Sequence, residues 1–127
     1  VMLHHPAFPV LLPGMDSIRL KNDEEFMNLL LKYPHDIVQQ IVCGHIHRTI
    51  SGTFRGKSYV IFKSPCHQCP LAMDSMDCSI STPEPGAYGI ICFPDRYSIV
   101  NHTEDFELAV IGKDKDFSCK DALPEVY

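Results

Sequence analysis

The sequence lacks the features that would direct a protein to a membrane or to a nucleic acid. It contains no apolar run approaching the roughly eighteen residues that a transmembrane helix needs. It has no basic excess either, since 11 lysines and arginines against 16 acids give a net charge of −5. Nucleic-acid polymers and anionic membrane surfaces both attract a basic face, so we expect neither as a partner.

Cysteine is also sparse, and its distribution indicates a reducing compartment. Six cysteines in 127 residues are too few for the disulfide scaffold of a small secreted domain, so we expect a cytoplasmic protein. Cys43 and Cys92 lie in apolar runs and are expected to be buried, whereas Cys119 lies in a polar tail where it can pair between chains. Cys66 and Cys69 form a C-x-x-C pair, but a structural zinc commonly needs a second such pair, which disfavours zinc there.

What the chain does contain is typical of one globular domain. Its 127 residues are 45% hydrophobic and 21% charged. The first residues, VMLHHP, begin inside an apolar run, where natural domains seldom start. We therefore expect residues 1–127 to be the C-terminal portion of a longer protein.

The order of predicted elements is strand, helix, strand and then antiparallel strands, which favours an α/β fold running into a mixed sheet. A strand ending at Leu3 is followed by a proline-rich loop to Gly14, and a second strand covers 37–44. The predicted division of the domain is a core strand-helix-strand and hairpin over 1–63, a loop or excursion over 64–86, antiparallel strands over 87–112 and a tail over 113–127.

The stretch NDEEFMNLLLKYP predicts a helix between the two strands. Asn22 or Asp23 can cap its N-terminus, and Pro34 ends it because proline disfavours helix at the residue before it. Four apolar residues recur at helical spacing and are expected to pack in the core. They are Phe26, Leu29, Leu30 and Tyr33.

Two hairpins are predicted after the second strand. The first joins residues 49–54 to 58–63 through Arg55-Gly56-Lys57, and the second turns at Pro94-Asp95 between 87–93 and 96–100. Residues 106–111 are expected to add a last strand.

Histidines follow both strands at matching places. LHHP puts His4 and His5 after the first strand, and IVCGHIHR puts His45 and His47 after the second. Because a helical crossover makes the two strands parallel, their carboxyl ends face one crevice and the imidazoles should meet there. Converging neutral imidazoles are typical of sites for zinc, iron and related metals. If the backbone stays extended, His45 and His47 project to the same side, but if it turns, each can serve a different ion.

These motifs, LHHP with GMDSIRLKN, IVCGHIHR and KSPCHQ, resemble the calcineurin-like metallophosphoesterases over residues 1–68. Within that family the chain is most similar to the bacterial class III cyclic-nucleotide phosphodiesterases and the related glycerophosphodiesterases. The resemblance implies the C-terminal part of a two-sheet αββα sandwich with additional antiparallel strands. It also implies a phosphodiesterase that cleaves a small cyclic nucleotide or glycerophosphodiester with hydroxide activated by two metal ions.

The resemblance further implies a role for individual residues. His4 and His45 would bind one ion and His47 the other, with the pair of ions drawn from iron, manganese and zinc. His5 would line the pocket. Arg48 and His67 are the other residues expected to contact substrate, Arg48 because a guanidinium suits phosphate oxygens.

The remaining ligand motifs of that family are not in this sequence. It has no Asp-x-His, no Gly-Asp and no Gly-Asn-His, so the bridging carboxylate and the acid that protonates the leaving group are absent. Val100-Asn101-His102 lacks the glycine and comes late in the chain, and we do not take it as a substitute. We expect the chain alone to be catalytically inactive and to bind fewer ions than the complete enzyme, or none.

Two alternative functions, each from a different class of protein, stay open. One is a non-catalytic assembly module in which the histidines have no role, and the other is a single structural metal site whose removal unfolds the chain. If the N-terminal half of the sheet is missing, the strand edges left exposed favour self-association, most simply as a two-fold dimer.

Overall fold

The computed structural model describes residues 1–106. Its elements in chain order are β1 (Met2–Leu3), α1 (Pro13–Ser17), α2 (Asp23–Leu30), β2 (Gln40–Cys43), β3 (Ile50–Phe54), β4 (Lys57–Ile61), β5 (Gly86–Asp95) and β6 (Ser98–Phe106). The strand predicted over 106–111, the tail over 113–127 and Cys119 lie outside the described residues, apart from Phe106. No helix within residues 1–106 is long and apolar enough to cross a membrane.

The first four strands form one mixed sheet in the order β1-β2-β4-β3. Strand β2 runs parallel to both β1 and β4, and β3 pairs antiparallel with β4. Met2 lies opposite Val42 and Leu3 opposite Cys43, so β1 and β2 end at the same level. The parallel pairing predicted from the intervening helix is confirmed, and the fold is α/β.

The core lies against the central strands of this sheet. Ile41 of β2 and Ile61 of β4 are completely buried, and Phe8 from the loop after β1 is buried with them. Burying a side chain of this size stabilises the fold by about 1.5–3 kcal/mol. The Phe8 ring lies 4.3 Å from the ring of Tyr59 on β4. This packing holds the loop that follows β1 against the sheet.

The loop after β1 contains a short helix that was not predicted. Pro13 begins α1, where a missing N–H costs no hydrogen bond because the first helical N–H groups have no partner inside the helix. The Asp16 carboxylate accepts hydrogen bonds from the Val10 N–H at 2.8 Å and the Leu11 N–H at 3.1 Å. These two hydrogen bonds hold the helix against the loop that precedes it.

The buried face of α2 differs from the prediction. Met27 and Leu30 are the buried residues of the helix, while Leu29 and Tyr33 are each 47% exposed. The helix stops at Leu30, so Tyr33 no longer follows the helical period. The stripe that faces the sheet is rotated by about one residue, and Phe26 lies at its margin, partly buried. The prediction that Leu29 and Tyr33 pack in the core is wrong.

The first hairpin is present and has a two-residue turn. Both turn residues have positive φ, +48° at Arg55 and +79° at Gly56. Two such residues make the type of turn whose twist matches that of paired strands. Lys57, the first residue of β4, is buried and donates a hydrogen bond from Nζ to the Tyr33 carbonyl at 2.6 Å. This bond ties the hairpin to the chain segment that follows α2.

The second hairpin is longer than predicted, and its turn lies at Arg96 and Tyr97. Pro94 falls inside β5, where the strand register shifts between Cys92 and Asp95. A proline has no N–H to donate to a strand ladder, so within a sheet it is tolerated at such an irregularity. The Asp95 carboxylate accepts a hydrogen bond from the Tyr97 N–H at 2.7 Å, which closes the turn.

The two faces of this hairpin have different surroundings. Ala87 on one face is completely buried, and a methyl group added to Gly89 would lie 2.4 Å from the Phe62 ring. The opposite face exposes apolar side chains. These are Tyr88 (49%), Ile90 (47%) and Val100 (40%), which share one face because Val100 pairs with Cys92.

A long loop joins β4 to β5, which begins at Gly86, and a buried glutamine closes this loop. The Gln68 side chain accepts from the Ser64 N–H at 3.1 Å and donates to the carbonyls of Ser64 at 2.6 Å and Pro85 at 3.1 Å. The backbone of Gln68 also pairs with Thr82. The two ends of the loop are thus held together beside the sheet.

Candidate metal centre

The aligned ends of β1 and β2 bring the two histidine motifs together. The Gly44 N–H donates a hydrogen bond to the His4 carbonyl at 3.1 Å. This bond continues the parallel pairing by one residue beyond Leu3 and Cys43. The convergence expected from strand order is therefore confirmed.

A tight turn then separates His45 from His47. The Ile46 N–H donates to the Gly44 carbonyl at 2.8 Å, and φ is +68° at His45 and +54° at His47. A three-residue turn with positive φ at its centre is rare and strained, and a residue other than glycine held there costs about 1–3 kcal/mol. Ile46 is only 1% exposed and belongs to the core, so it anchors the turn between the two histidines.

The first cluster consists of His4, His5 and His45. The centre of the His45 ring lies 5.1 Å from that of His4 and 4.1 Å from that of His5, and the rings of His4 and His5 are 4.8 Å apart. One nitrogen from each ring lies within 4.8 Å of the others. His5 thus lies among the possible ligands, whereas the resemblance gave it only a pocket-lining role.

The second cluster consists of His47, His67 and Cys69. The rings of His47 and His67 are 4.4 Å apart, and their nitrogens and the Cys69 sulfur lie within 4.8 Å of one another. The Cys69 N–H donates a hydrogen bond to the His47 carbonyl at 3.2 Å. The turn therefore places His45 in the first cluster and His47 in the second.

The ring nitrogens of both central histidines suit a metal ligand. His45 Nε2 and His47 Nδ1 are buried and have no hydrogen-bond partner among residues 1–106. Burial, reinforced by the charges of His5 and His4, lowers the pKa of His45 from 6.5 to about 4. Burial likewise lowers the pKa of His47, with His67 as the next cause. Both imidazoles are neutral at pH 7, so each can offer a lone pair to zinc, iron or a related metal.

Arg48 is held by the 64–86 loop. Its Nη1 donates a hydrogen bond to the Cys69 carbonyl at 3.0 Å and lies 3.9 Å from a carboxylate oxygen of Glu84. Glu84 also pairs with Lys63 at 3.2 Å. The observed contacts position the loop beside His47, and contact of Arg48 with a phosphate stays a prediction.

Sequence reasoning did not place Cys69 in a histidine cluster. It considered Cys69 only with Cys66 as a C-x-x-C pair, yet its neighbours in space are His47 and His67. The available signal was the spacing of C-H-x-C beside a histidine-bearing turn. His102 pairs with Ile90 in the second hairpin and takes no part in either cluster of the described residues.

The chain resembles known enzymes over about half of its length. It is 32% identical to the 3′,5′-cyclic adenosine monophosphate phosphodiesterase CpdA of Escherichia coli K12 over 68 residues, which are 54% of this chain and 24% of that enzyme. CpdA of Vibrio vulnificus is 30% identical over 86 residues, 68% of this chain and 30% of that enzyme. A protein of Rhodopseudomonas palustris named probable cyclic nucleotide phosphodiesterase is 35% identical over 65 residues, 51% and 23% of the two chains.

The similarity is partial in two respects. This chain matches less than a third of the length of each of these relatives. No protein-family model matches it. Each of these relatives is named as a cyclic nucleotide phosphodiesterase, which is a kind of hydrolase.

Proposed function

We propose that this chain supplies the histidine ligands of a dinuclear metal centre in a calcineurin-like phosphodiesterase that cleaves a small cyclic nucleotide. The observation that carries the proposal is the turn at residues 44–47, which sends His45 to His4 and His5 and sends His47 to a separate cluster. The residues that follow β2 therefore contribute one histidine to each of the two clusters. The names of the relatives favour a cyclic nucleotide over a glycerophosphodiester as substrate.

In this proposal His4 and His45 hold one ion, and His47 holds the other. The chemistry that two bound ions supply is polarisation of phosphoryl oxygens and activation of a water molecule near neutral pH. The chain's own contribution is orientation: the buried Ile46 fixes the two imidazoles, and burial keeps both neutral. The three histidines by themselves do not choose among iron, manganese and zinc, because metal availability also decides which ion is bound.

The isolated chain should not turn over substrate. Its sequence has no Asp-x-His, Gly-Asp or Gly-Asn-His, and neither cluster includes a carboxylate from residues 1–106. Neither cluster can therefore supply the bridging carboxylate that the resemblance implies. Hydrolysis of bis(p-nitrophenyl) phosphate by residues 1–127 alone, abolished by His45→Ala, would show this part of the proposal to be wrong.

A chimera tests the function directly. The 86-residue segment of this chain that matches the V. vulnificus enzyme would replace the corresponding segment of that enzyme, with circular dichroism to establish folding. We expect the manganese- or iron-loaded chimera to hydrolyse cyclic AMP. His45→Ala and His47→Ala should each reduce the rate by about 100-fold or more, since losing even a supporting residue of a metal site costs about 10- to 100-fold. His35→Ala is the matched control, because His35 is exposed and outside both clusters.

A folded, metal-loaded chimera without cyclic AMP hydrolysis would overturn the proposed function. Equal activity in His45→Ala and His35→Ala would overturn the assignment of His45 as a ligand. The same metal content in His45→Ala and His35→Ala would also count against His45 as a metal ligand.

We also propose that the protein associates with a second copy of itself. The exposed apolar face of the second hairpin, formed by Tyr88, Ile90 and Val100, supports this. The net charge of −5 gives no support to nucleic acid or an anionic membrane as the partner.

A further inference from the structure

We propose that Cys69 is a metal ligand, and that His47, His67 and Cys69 together form a site selective for zinc or another thiophilic divalent cation. The inference deepens the proposed function and rests on it through His47, which is shared. It assigns two ligands, a thiolate and a second imidazole, that come from the 64–86 loop and not from the ends of the strands.

The geometry is close to that of a three-ligand zinc site. The two ring nitrogens and the sulfur lie within 4.8 Å of one another. In a tetrahedral site with Zn–S near 2.3 Å and Zn–N near 2.05 Å, ligand atoms are about 3.3 to 3.6 Å apart. The observed spacing exceeds this by at most about 1.5 Å, a difference that a rotamer change of the exposed His67 side chain can close.

The backbone around Cys69 is fixed relative to His47. The Cys69 N–H donates to the His47 carbonyl, and the Cys69 carbonyl accepts from Arg48. The neighbouring Gln68 is buried and fully hydrogen-bonded through its side-chain amide. These bonds hold the sulfur beside the imidazole that has an unpartnered buried nitrogen.

The donor set determines which cation the site takes. A thiolate is a soft ligand that favours zinc over manganese and magnesium, whereas the first cluster offers imidazole alone. Cys69 is also the one residue of either cluster of residues 1–106 that can supply an anionic donor, once its thiol loses its proton to become a thiolate. Three protein ligands would leave room for a fourth donor on a bound zinc ion, as in catalytic zinc sites.

Cobalt absorption tests the assignment without any requirement for turnover. Co²⁺ added to the full chain should give a thiolate-to-cobalt charge-transfer band in the near ultraviolet, and zinc should remove it by displacement. Cys69→Ser should abolish the band. Cys92→Ser is the control, since Cys92 lies in β5 outside both clusters.

The outcomes separate this inference from the proposed function. No band in the unaltered chain, a band that persists in Cys69→Ser, or a band lost in Cys66→Ser but not in Cys69→Ser would each overturn the assignment of Cys69. A band that depends on Cys69, together with a chimera that does not hydrolyse cyclic AMP, would support the ligand and overturn the function. Hydrolysis of cyclic AMP by the chimera, without a cobalt band in the chain, would support the function and overturn the assignment of Cys69 as a ligand.

Discussion

Replacing Gln68 with methionine should strongly lower the free energy of unfolding, although Gln68 lies in a loop and not in a strand of the sheet. Gln68 is 1% exposed, and its amide makes three hydrogen bonds that join both ends of the 64–86 loop. Methionine has nearly the same volume, so packing changes little. The perturbation is therefore almost purely the loss of hydrogen bonds.

The magnitude follows from which groups lose their partners. The Ser64 carbonyl keeps one, because it also accepts from the Ala87 N–H at 3.0 Å. The Ser64 N–H and the Pro85 carbonyl lose the side-chain partner that Gln68 provides. A buried polar group without a partner costs about 1–3 kcal/mol, and the partly buried Pro85 carbonyl belongs near the lower end. The expected loss is about 2–4 kcal/mol, a large share of the roughly 5–15 kcal/mol that stabilises a typical domain.

Urea unfolding followed by circular dichroism measures this loss, and the cobalt band should weaken in parallel because His67 and Cys69 flank Gln68. Gln39→Met is the matched control. Its amide donates one exposed hydrogen bond to the Arg96 carbonyl, and such a surface change is expected to stay within about 0.5 kcal/mol. A loss below about 1 kcal/mol in Gln68→Met would refute the argument that this amide closes the loop.

Three further predictions concern packing, reactivity and assembly. Gly86→Ala should lower the free energy of unfolding in urea by about 1–3 kcal/mol, because its methyl group would lie 2.5 Å from the Pro65 carbonyl oxygen; an unchanged urea midpoint would contradict this. Burial raises the pKa of the Cys43 thiol to about 12, so iodoacetamide at pH 8 should label the exposed Cys78 and leave Cys43 unlabelled in native protein by mass spectrometry. Light scattering should show a dimer that Ile90→Lys shifts towards monomer, and a monomer at all concentrations would argue against self-association.

Much of the fold was predictable because its signals are local. A β-branched run before Gly44 and a helix between two strands were enough to predict parallel β1 and β2. The turn at Arg55-Gly56 was predictable from glycine chemistry. The buried face of α2 was not, because its apolar residues cover adjacent faces and only contact with the sheet selects Met27 and Leu30.

The candidate site also has one part that was predictable from the sequence and one part that was not. The meeting of His4 with His45 follows from strand order, since the carboxyl ends of parallel strands share one edge. The grouping of His67 and Cys69 with His47 depends on the closure of a long loop by Gln68. The C-H-x-C spacing brings His67 and Cys69 close together in the chain, but it does not show that the loop places them beside His47.

The buried Ile46 has a consequence for how such a site can be altered by mutation. Because this one side chain anchors the backbone of both neighbouring histidines, a change in the core that displaces it moves a ligand of each cluster at once. Changes at His5 or in the segment around Cys69 affect only one cluster each. Substitutions at His5 or Cys69 can therefore change the metal preference of one cluster at a time. A substitution that displaces Ile46 changes both clusters together.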